Sequence, residues 1–171
     1  MAKPVFLIGY MGSGKSTMGK KLARILNYAF EDTDALIEKM TGKTIDEIFG
    51  SEGEAAFRML EHSVIKSLTN RINTVVATGG GAPCYYDNLD LMQQQGITVY
   101  LKLHPESIVK RLKQSKTRRP LLKYTDDDSL LPYVMRHLAQ REEFYEKARI
   151  IFKGENADPE ELARLIKTYR Q

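Results

Sequence analysis

Val5-Phe6-Leu7-Ile8-Gly9-Tyr10-Met11-Gly12-Ser13-Gly14-Lys15-Ser16 decides the fold of this chain. Its first four residues are an apolar run of buried-strand type. The next eight fit Gly-x-x-x-x-Gly-Lys-[Ser/Thr], the phosphate-binding loop. From Ser16 onward Met18, Leu22, Ile25 and Leu26 recur at helical spacing beside a polar face of Lys20, Lys21 and Arg24. The order is strand, glycine loop, helix. Glycines let the backbone turn several N–H groups onto one anion, and the helix behind them adds its positive end. Lys15 has the reach for terminal phosphates and Ser16 carries a hydroxyl for magnesium. An ordinary glycine turn would satisfy the glycines without needing these flanks. A dinucleotide fingerprint does not fit, because Thr17 stands where its third glycine belongs.

Outward from this loop, apolar strand patterns alternate with helical ones, so the fold class is α/β: a parallel sheet covered on both faces. The spacing predicts strands at 28–31, 73–77, 97–103 and 149–152, and helices from Asp34 to Met40, over 87–94, over 105–114 and over 129–148 with Pro132 near its start. Thr44-Ile45-Asp46-Glu47 and Ser51-Glu52-Gly53-Glu54 each match a capping box, so two helices are expected to start there, the second running to about Leu68. Asp158-Pro159-Glu160-Glu161 starts a last helix that turns Leu162, Leu165 and Ile166 inward.

The 171 residues are read as one domain, 1–171, with 42% hydrophobic and 28% charged residues, a globular composition. No apolar run is long enough to span a bilayer, and the apolar stretch from Pro4 to Ile8 is too short for a signal peptide. Cys84 is the one cysteine, so an intrachain disulfide is impossible, which fits a cytoplasmic location. The net charge of +4 suits an anionic small substrate as well as nucleic acid. The densest basic stretch, Lys110 to Arg119, lacks the interleaved aromatics of a stacking platform, so no nucleic-acid partner is expected. His62, His104 and His137 have no metal-ligand spacing.

Four features bear on the acceptor. Asp32-Thr33-Asp34 places two carboxylates at a strand's carboxyl end, or is a plain helix cap. Glu54, Phe57, Arg58 and Glu61 share one helix side, where Arg58 can hold a carboxylate; a solvated Glu–Arg–Glu stripe is the alternative. Gly79-Gly80-Gly81 allows close backbone approach to a ligand, or is an exit turn. Arg118-Arg119-Pro120-Leu121-Leu122 supplies a loop cation for a transferring phosphoryl group, or is a basic surface loop. The strand before the glycine triplet lacks the usual terminal Asp, which leaves Asp32 that role.

Together these motifs, with Arg141-x-x-x-Tyr145, resemble the shikimate kinases, small P-loop kinases related to the nucleoside monophosphate kinases. The resemblance runs through nearly the whole chain in family order. It implies a three-layer fold with a five-stranded parallel sheet, a mobile lid at about 112–125 and a substrate-binding helical region at about 34–62. It implies transfer of the γ-phosphoryl group of ATP to the 3-hydroxyl of shikimate, on the route to chorismate and the aromatic amino acids. By resemblance Lys15, Asp34 and Arg119 are catalytic, and Gly12, Ser13, Gly14, Lys15, Ser16, Thr17, Arg119 and Asn156 bind ATP. Asp34, Arg58, Gly80, Gly81 and Arg141 bind shikimate, Ser16 and Asp32 position magnesium, and Phe49 and Phe57 line the ring pocket. Arg111 is the arginine nearest the place where the family packs a basic residue on adenine. The partners implied are ATP and shikimate, no membrane, and a monomeric state. A gluconate or nucleoside monophosphate kinase, and a nucleotide-binding regulatory module without turnover, are the rival readings.

Overall fold

The computed structural model describes residues 1–115 and 129–169. Its strands are β1 (Val5–Ile8), β2 (Ala29–Asp32), β3 (Thr74–Ala77), β4 (Ile97–Lys102) and β5 (Ile150–Lys153). Between and after them run α1 (Lys15–Leu26), α2 (Thr33–Thr41), α3 (Ile45–Ser51), α4 (Gly53–Leu68), α5 (Asn88–Gln95), α6 (Pro105–Gln114), α7 (Leu130–Tyr145) and α8 (Pro159–Thr168), with a 3₁₀ turn at Ala82–Cys84. All strands are parallel and lie in the order β2-β3-β1-β4-β5. The three-layer α/β fold expected from the alternating pattern is the one found.

Strand alternation divides the core. Val5 and Leu7 face α1 and α8, packing with Met18, Leu22, Val99, Leu162 and Ile166. Phe6 and Ile8 face the other layer, where they meet residues of α2 through α7, among them Ile37, Phe57, Met92, Ile108 and Val134. All four β1 residues are fully buried, which is why they read as a continuous apolar run. Each such side chain contributes on the order of 2 kcal/mol by leaving water.

Register then sets the site. Leu7 pairs with Ala77, and Ala77 pairs on its other side with Asp32. The carboxyl ends of β1, β3 and β2 therefore lie side by side. The sheet order reverses at β1, which sits between β3 and β4, and such a switch opens a crevice at the strand ends. The phosphate loop, the glycine triplet and Asp32-Thr33-Asp34 all leave the sheet there.

Several expected boundaries shift. Tyr28 is not in a strand: Asn27 caps α1 in the left-handed region at φ 55°, and the Tyr28 N–H donates back to Ala23 O at 2.8 Å, so β2 starts one residue later. The first capping box forms, with Thr44 Oγ1 accepting from Glu47 N at 3.2 Å and Glu47 Oε2 accepting from Thr44 N at 2.7 Å. The second does not. Ser51 ends α3 and its hydroxyl donates to Glu47 O at 2.7 Å, while Glu54 is drawn to other partners. The long helix starts at Leu130, leaving Pro132 in the first turn where its missing N–H has no helical acceptor to serve. It ends at Tyr145 and not Ala148, whose N–H closes a turn onto Tyr145 O. In α8 Leu162, Ala163 and Ile166 are buried, whereas Leu165, expected inward, is exposed. The expected lid, apart from its first residues in α6 and at Ser115, lies outside the described residues, as do Arg118, Arg119 and Pro120-Leu121-Leu122. No described helix is long and apolar enough to cross a membrane.

Candidate active site

The phosphate loop turns through left-handed glycines, Gly12 at φ 79° and Gly14 at φ 88°, and leads into α1. These angles admit few residues other than glycine. Lys15 folds back over the loop, its Nζ donating to Gly9 O and Tyr10 O, both at 2.8 Å. The Ser16 hydroxyl donates to Asp32 Oδ2 at 2.6 Å. Asp32 Oδ1 accepts from the N–H groups of Asp34 and Ala35 at 3.1 and 3.3 Å. Asp32 thus caps α2 with one oxygen and meets Ser16 with the other. An open cleft of about 350 Å³ is lined here by Gly12, Gly14, Lys15, Ser16, Thr17, Asp32 and Asp34. A neighbouring recess of about 410 Å³ holds Ser13, Thr17, Lys21, Arg111 and Asn156. Arg111 joins the two: it borders both and donates to Ser13 O at 3.1 Å.

Beside the cleft is a smaller cavity of about 70 Å³. Asp34, Arg58, Gly79, Gly80, Gly81 and Arg141 line it, with Met11, Ile45, Phe49, Phe57 and Glu61. The shared helix side expected for Glu54, Phe57, Arg58 and Glu61 is real, but no solvated stripe: Phe57, Arg58 and Glu61 are buried. Arg58 donates through Nη1 to Glu61 Oε2 at 2.9 Å and through Nη2 to Glu54 Oε1 at 3.0 Å, and its guanidinium lies 4.1 Å from the centre of the Tyr85 ring. Tyr85 donates its hydroxyl to the same Glu54 oxygen at 2.9 Å. Glu61 Oε1 is buried with no hydrogen-bond partner among the described residues. Phe49 and Phe57 pack with tilted rings, 4.7 Å between ring centres, and form an apolar wall.

Burial pushes the Glu61 carboxyl up to about 7; Arg58 pulls it down, and the nearby Asp34 carboxylate raises it further. For Glu54 burial also raises the value, but the bonds from Tyr85 and Arg58 outweigh it and hold the carboxyl below its ordinary range.

The glycine triplet is needed for a more immediate reason than ligand approach. A Cβ at Gly79 would collide with Glu61 Oε1, one at Gly81 would lie 2.6 Å from both Arg58 Nη atoms, and one at Gly80 would lie 3.0 Å from Met11 N. The loop after β3 is threaded between the phosphate loop and the Arg58–Glu61 pair. Thr33 Oγ1 accepts from Gly79 N at 3.0 Å and Tyr145 donates to Gly80 O at 2.5 Å, fixing that thread.

The structure therefore gathers Asp34, Arg58, Gly80, Gly81 and Arg141 in one cavity, and Gly12, Gly14, Lys15, Ser16, Thr17 and Asp32 in the adjoining cleft; Ser13 and Asn156 line the recess beyond. Arg119 lies outside the described residues. Glu61 had no assigned role from sequence, although its place one turn from Arg58 was the available signal. Cys84 is half-buried and burial pushes its thiol up to about 11, which makes it a poor nucleophile. His62 bonds Asn88 Oδ1 at 2.7 Å and His137 bonds the Tyr10 hydroxyl at 2.9 Å. Among the described residues no three His, Cys, Asp or Glu side chains cluster as a metal cage.

The comparisons with known proteins agree with this geometry. The family model described as shikimate kinase matches residues 11–169. A shikimate kinase of Bacteroides thetaiotaomicron is 45% identical over 154 residues, covering 90% of this chain and 88% of that relative. The crystal structure of a shikimate kinase from the same organism superposes with a TM-score of 0.90 at 40% identity, covering 99% of both chains. That of Acinetobacter baumannii shikimate kinase in complex with shikimate gives 0.86 at 35% identity, covering 99% of this chain and 93% of the other. A phosphate loop, a carboxylate-and-arginine cavity beside it and this extent of likeness converge: the chain belongs to the shikimate kinase family.

Proposed function

We propose that this chain transfers the γ-phosphoryl group of ATP to the 3-hydroxyl of shikimate, giving shikimate 3-phosphate and ADP. The observation that carries this reading is the shared wall between cleft and cavity: Asp34, Gly79 and Gly80 line both. An acceptor in the cavity would present a hydroxyl directly to a phosphate in the cleft.

Each group has a task. Arg58 and Arg141 hold the shikimate carboxylate, for which paired guanidinium donors suit a planar anion. Asp34 accepts the hydrogen bond of the reacting hydroxyl and receives its proton as the phosphoryl group leaves ATP. Gly80 and Gly81 bring backbone against the ring, whose apolar side rests on Phe49 and Phe57. Lys15 stabilises charge on the transferring group, and Arg119 is assigned the same task. The loop from Gly12 to Thr17 cradles the phosphates, and Asn156 with Arg111 borders the base. Positioning and fixed charge supply most of the acceleration, since a loose phosphoryl-transfer transition state needs little covalent help.

Ser16 Oγ and the Asp32 carboxylate, 2.6 Å apart at the cleft, are the hard oxygen donors that magnesium prefers in nucleotide sites. Magnesium bound with the nucleotide neutralises charge on the phosphate oxygens. On this reading the chain works as a single domain, 1–171, and as a monomer in the cytoplasm, with residues 34–62 as its substrate-binding region.

A coupled assay of ADP release tests the proposal. Purified protein with ATP and magnesium should release ADP with shikimate and not with gluconate or nucleoside monophosphates. Turnover of either rival acceptor at a comparable rate would overturn it.

A further inference from the structure

α7 presents His137, Arg141 and Tyr145 at successive four-residue steps, one above the other on a single face. Each meets a different part of the site. His137 Nδ1 lies 2.9 Å from the Tyr10 hydroxyl in a hydrogen bond that joins positions 127 apart in the chain. Arg141 lines the acceptor cavity. Tyr145 donates to Gly80 O, and Gly80 packs against the backbone of Met11.

Tyr10 belongs to the phosphate loop. Its ring is buried and meets His137 edge-on, with centroids 5.5 Å apart. Its carbonyl accepts from Lys15 Nζ. A continuous run of contacts thus leads from the Lys15 ammonium through Tyr10 to His137, and one helical turn further to Arg141. Burial, with Arg141 and Arg58 adding to it, pushes the His137 imidazole down to about 4, and burial raises the Tyr10 phenol above its ordinary value. Both stay neutral near pH 7, so the bond survives ordinary changes of pH.

We infer that Tyr10 and His137 are positioning residues whose hydrogen bond ties the phosphate loop to the helix carrying Arg141, coupling occupation of the acceptor cavity to the placing of Lys15. This rests on the shikimate reading of the cavity. Packed elements and hydrogen bonds are the physical carriers of such coupling, and reciprocity requires that nucleotide tighten acceptor binding by the same factor.

The test measures shikimate affinity with and without magnesium ADP by calorimetry, together with kcat, KM and the unfolding temperature. In the unmodified chain the nucleotide should tighten shikimate binding. Tyr10→Phe, which keeps the ring and removes the hydroxyl, should cut that tightening about fivefold and lower kcat by a similar factor, as loss of one hydrogen bond allows. His137→Leu should do the same, and His137→Asn, which keeps a polar atom at the δ position, should retain most of the effect. The double variant Tyr10→Phe/His137→Leu should be no worse than either single one, because the two act as a unit. Normal shikimate turnover with an unchanged affinity ratio in both single variants would overturn the coupling alone. So would additive losses in the double variant, or an unmodified chain whose shikimate affinity ignores nucleotide. Absence of shikimate turnover in the unmodified chain would overturn the functional reading and the coupling with it.

Discussion

Arg58 and Glu61 face each other at 2.9 Å from adjacent turns of α4, both cut off from solvent. The pair is asymmetric. Arg58 has a second partner in Glu54, whereas Glu61 Oε1 has none among the described residues. A buried carboxylate with half its hydrogen-bonding capacity unmet costs free energy, and burial answers by raising its affinity for a proton.

That asymmetry gives a pH dependence with a definite sign. The Glu61 carboxyl is raised from the ordinary 4.5 to about 7, so the folded chain holds this proton more tightly than the unfolded chain. The stability it contributes is complete below about 4.5 and is lost as pH rises through about 7. Glu61→Gln removes the titration. The unfolding temperature of the unmodified chain should therefore fall relative to Glu61→Gln by on the order of 5 °C between pH 5 and pH 8. Parallel melting curves of the two proteins across that range would refute the assignment.

Arg58→Ala should act chiefly on the acceptor. It removes the fork proposed to hold the shikimate carboxylate and leaves Glu61 without its partner. The KM for shikimate should rise by about tenfold or more, as expected for a charge-assisted hydrogen bond, while the KM for ATP stays within about twofold. The unfolding temperature should fall as well, because breaking one side of a buried pair is costly. Steady-state kinetics with each substrate varied in turn separates these effects.

Lys15→Ala should act chiefly on turnover. Lys15 is held by two carbonyl oxygens of its own loop and lines the cleft, away from Arg58 and Arg141. Its loss should lower kcat by at least about a hundredfold, the scale for removing one donor from a transition-state site. Shikimate affinity of the nucleotide-free protein should change little. A variant that loses ATP binding and keeps kcat at saturating ATP would contradict the role.

Sequence made the fold legible where one local pattern implied one structure. The apolar run of β1, the glycine loop and the cap at Asp158 each carry their own physics, and the continuous apolar run of β1 is matched by burial on both sides, Val5 and Leu7 in one core and Phe6 and Ile8 in the other. It was less legible where one residue serves two masters. Ser51 and Glu54 match a capping box, but Glu54 is drawn to Arg58 and Tyr85, and no local pattern records that competition. Asp32-Thr33-Asp34 read as either cap or site, and the register at the end of β2 lets Asp32 cap α2 while both carboxylates line the cleft. The residues of the cavity were legible through family resemblance, whereas their support was not. Nothing in the spacing of Tyr10 and His137 announces a bond between them, because long-range contacts leave no periodic trace.

Gly81→Ala isolates the packing of the cavity from its chemistry. Gly81 has φ −85°, which any residue adopts, so alanine there carries no backbone strain. Its Cβ would lie 2.6 Å from both Nη atoms of Arg58, and the guanidinium would have to move. That shift should raise the KM for shikimate by about tenfold, the loss of one charge-assisted hydrogen bond, with the KM for ATP nearly unchanged. Gly50→Ala is the matching control: it lies in α3, where the added Cβ would meet nothing within 4 Å beyond its chain neighbours and the backbone of its own helix. There alanine should stabilise the helix by about 0.5–1 kcal/mol and leave both KM values alone. If Gly81→Ala bound shikimate as well as the unmodified chain, Arg58 would not be the group that fixes the acceptor, and the carboxylate would have to be held by Arg141 alone.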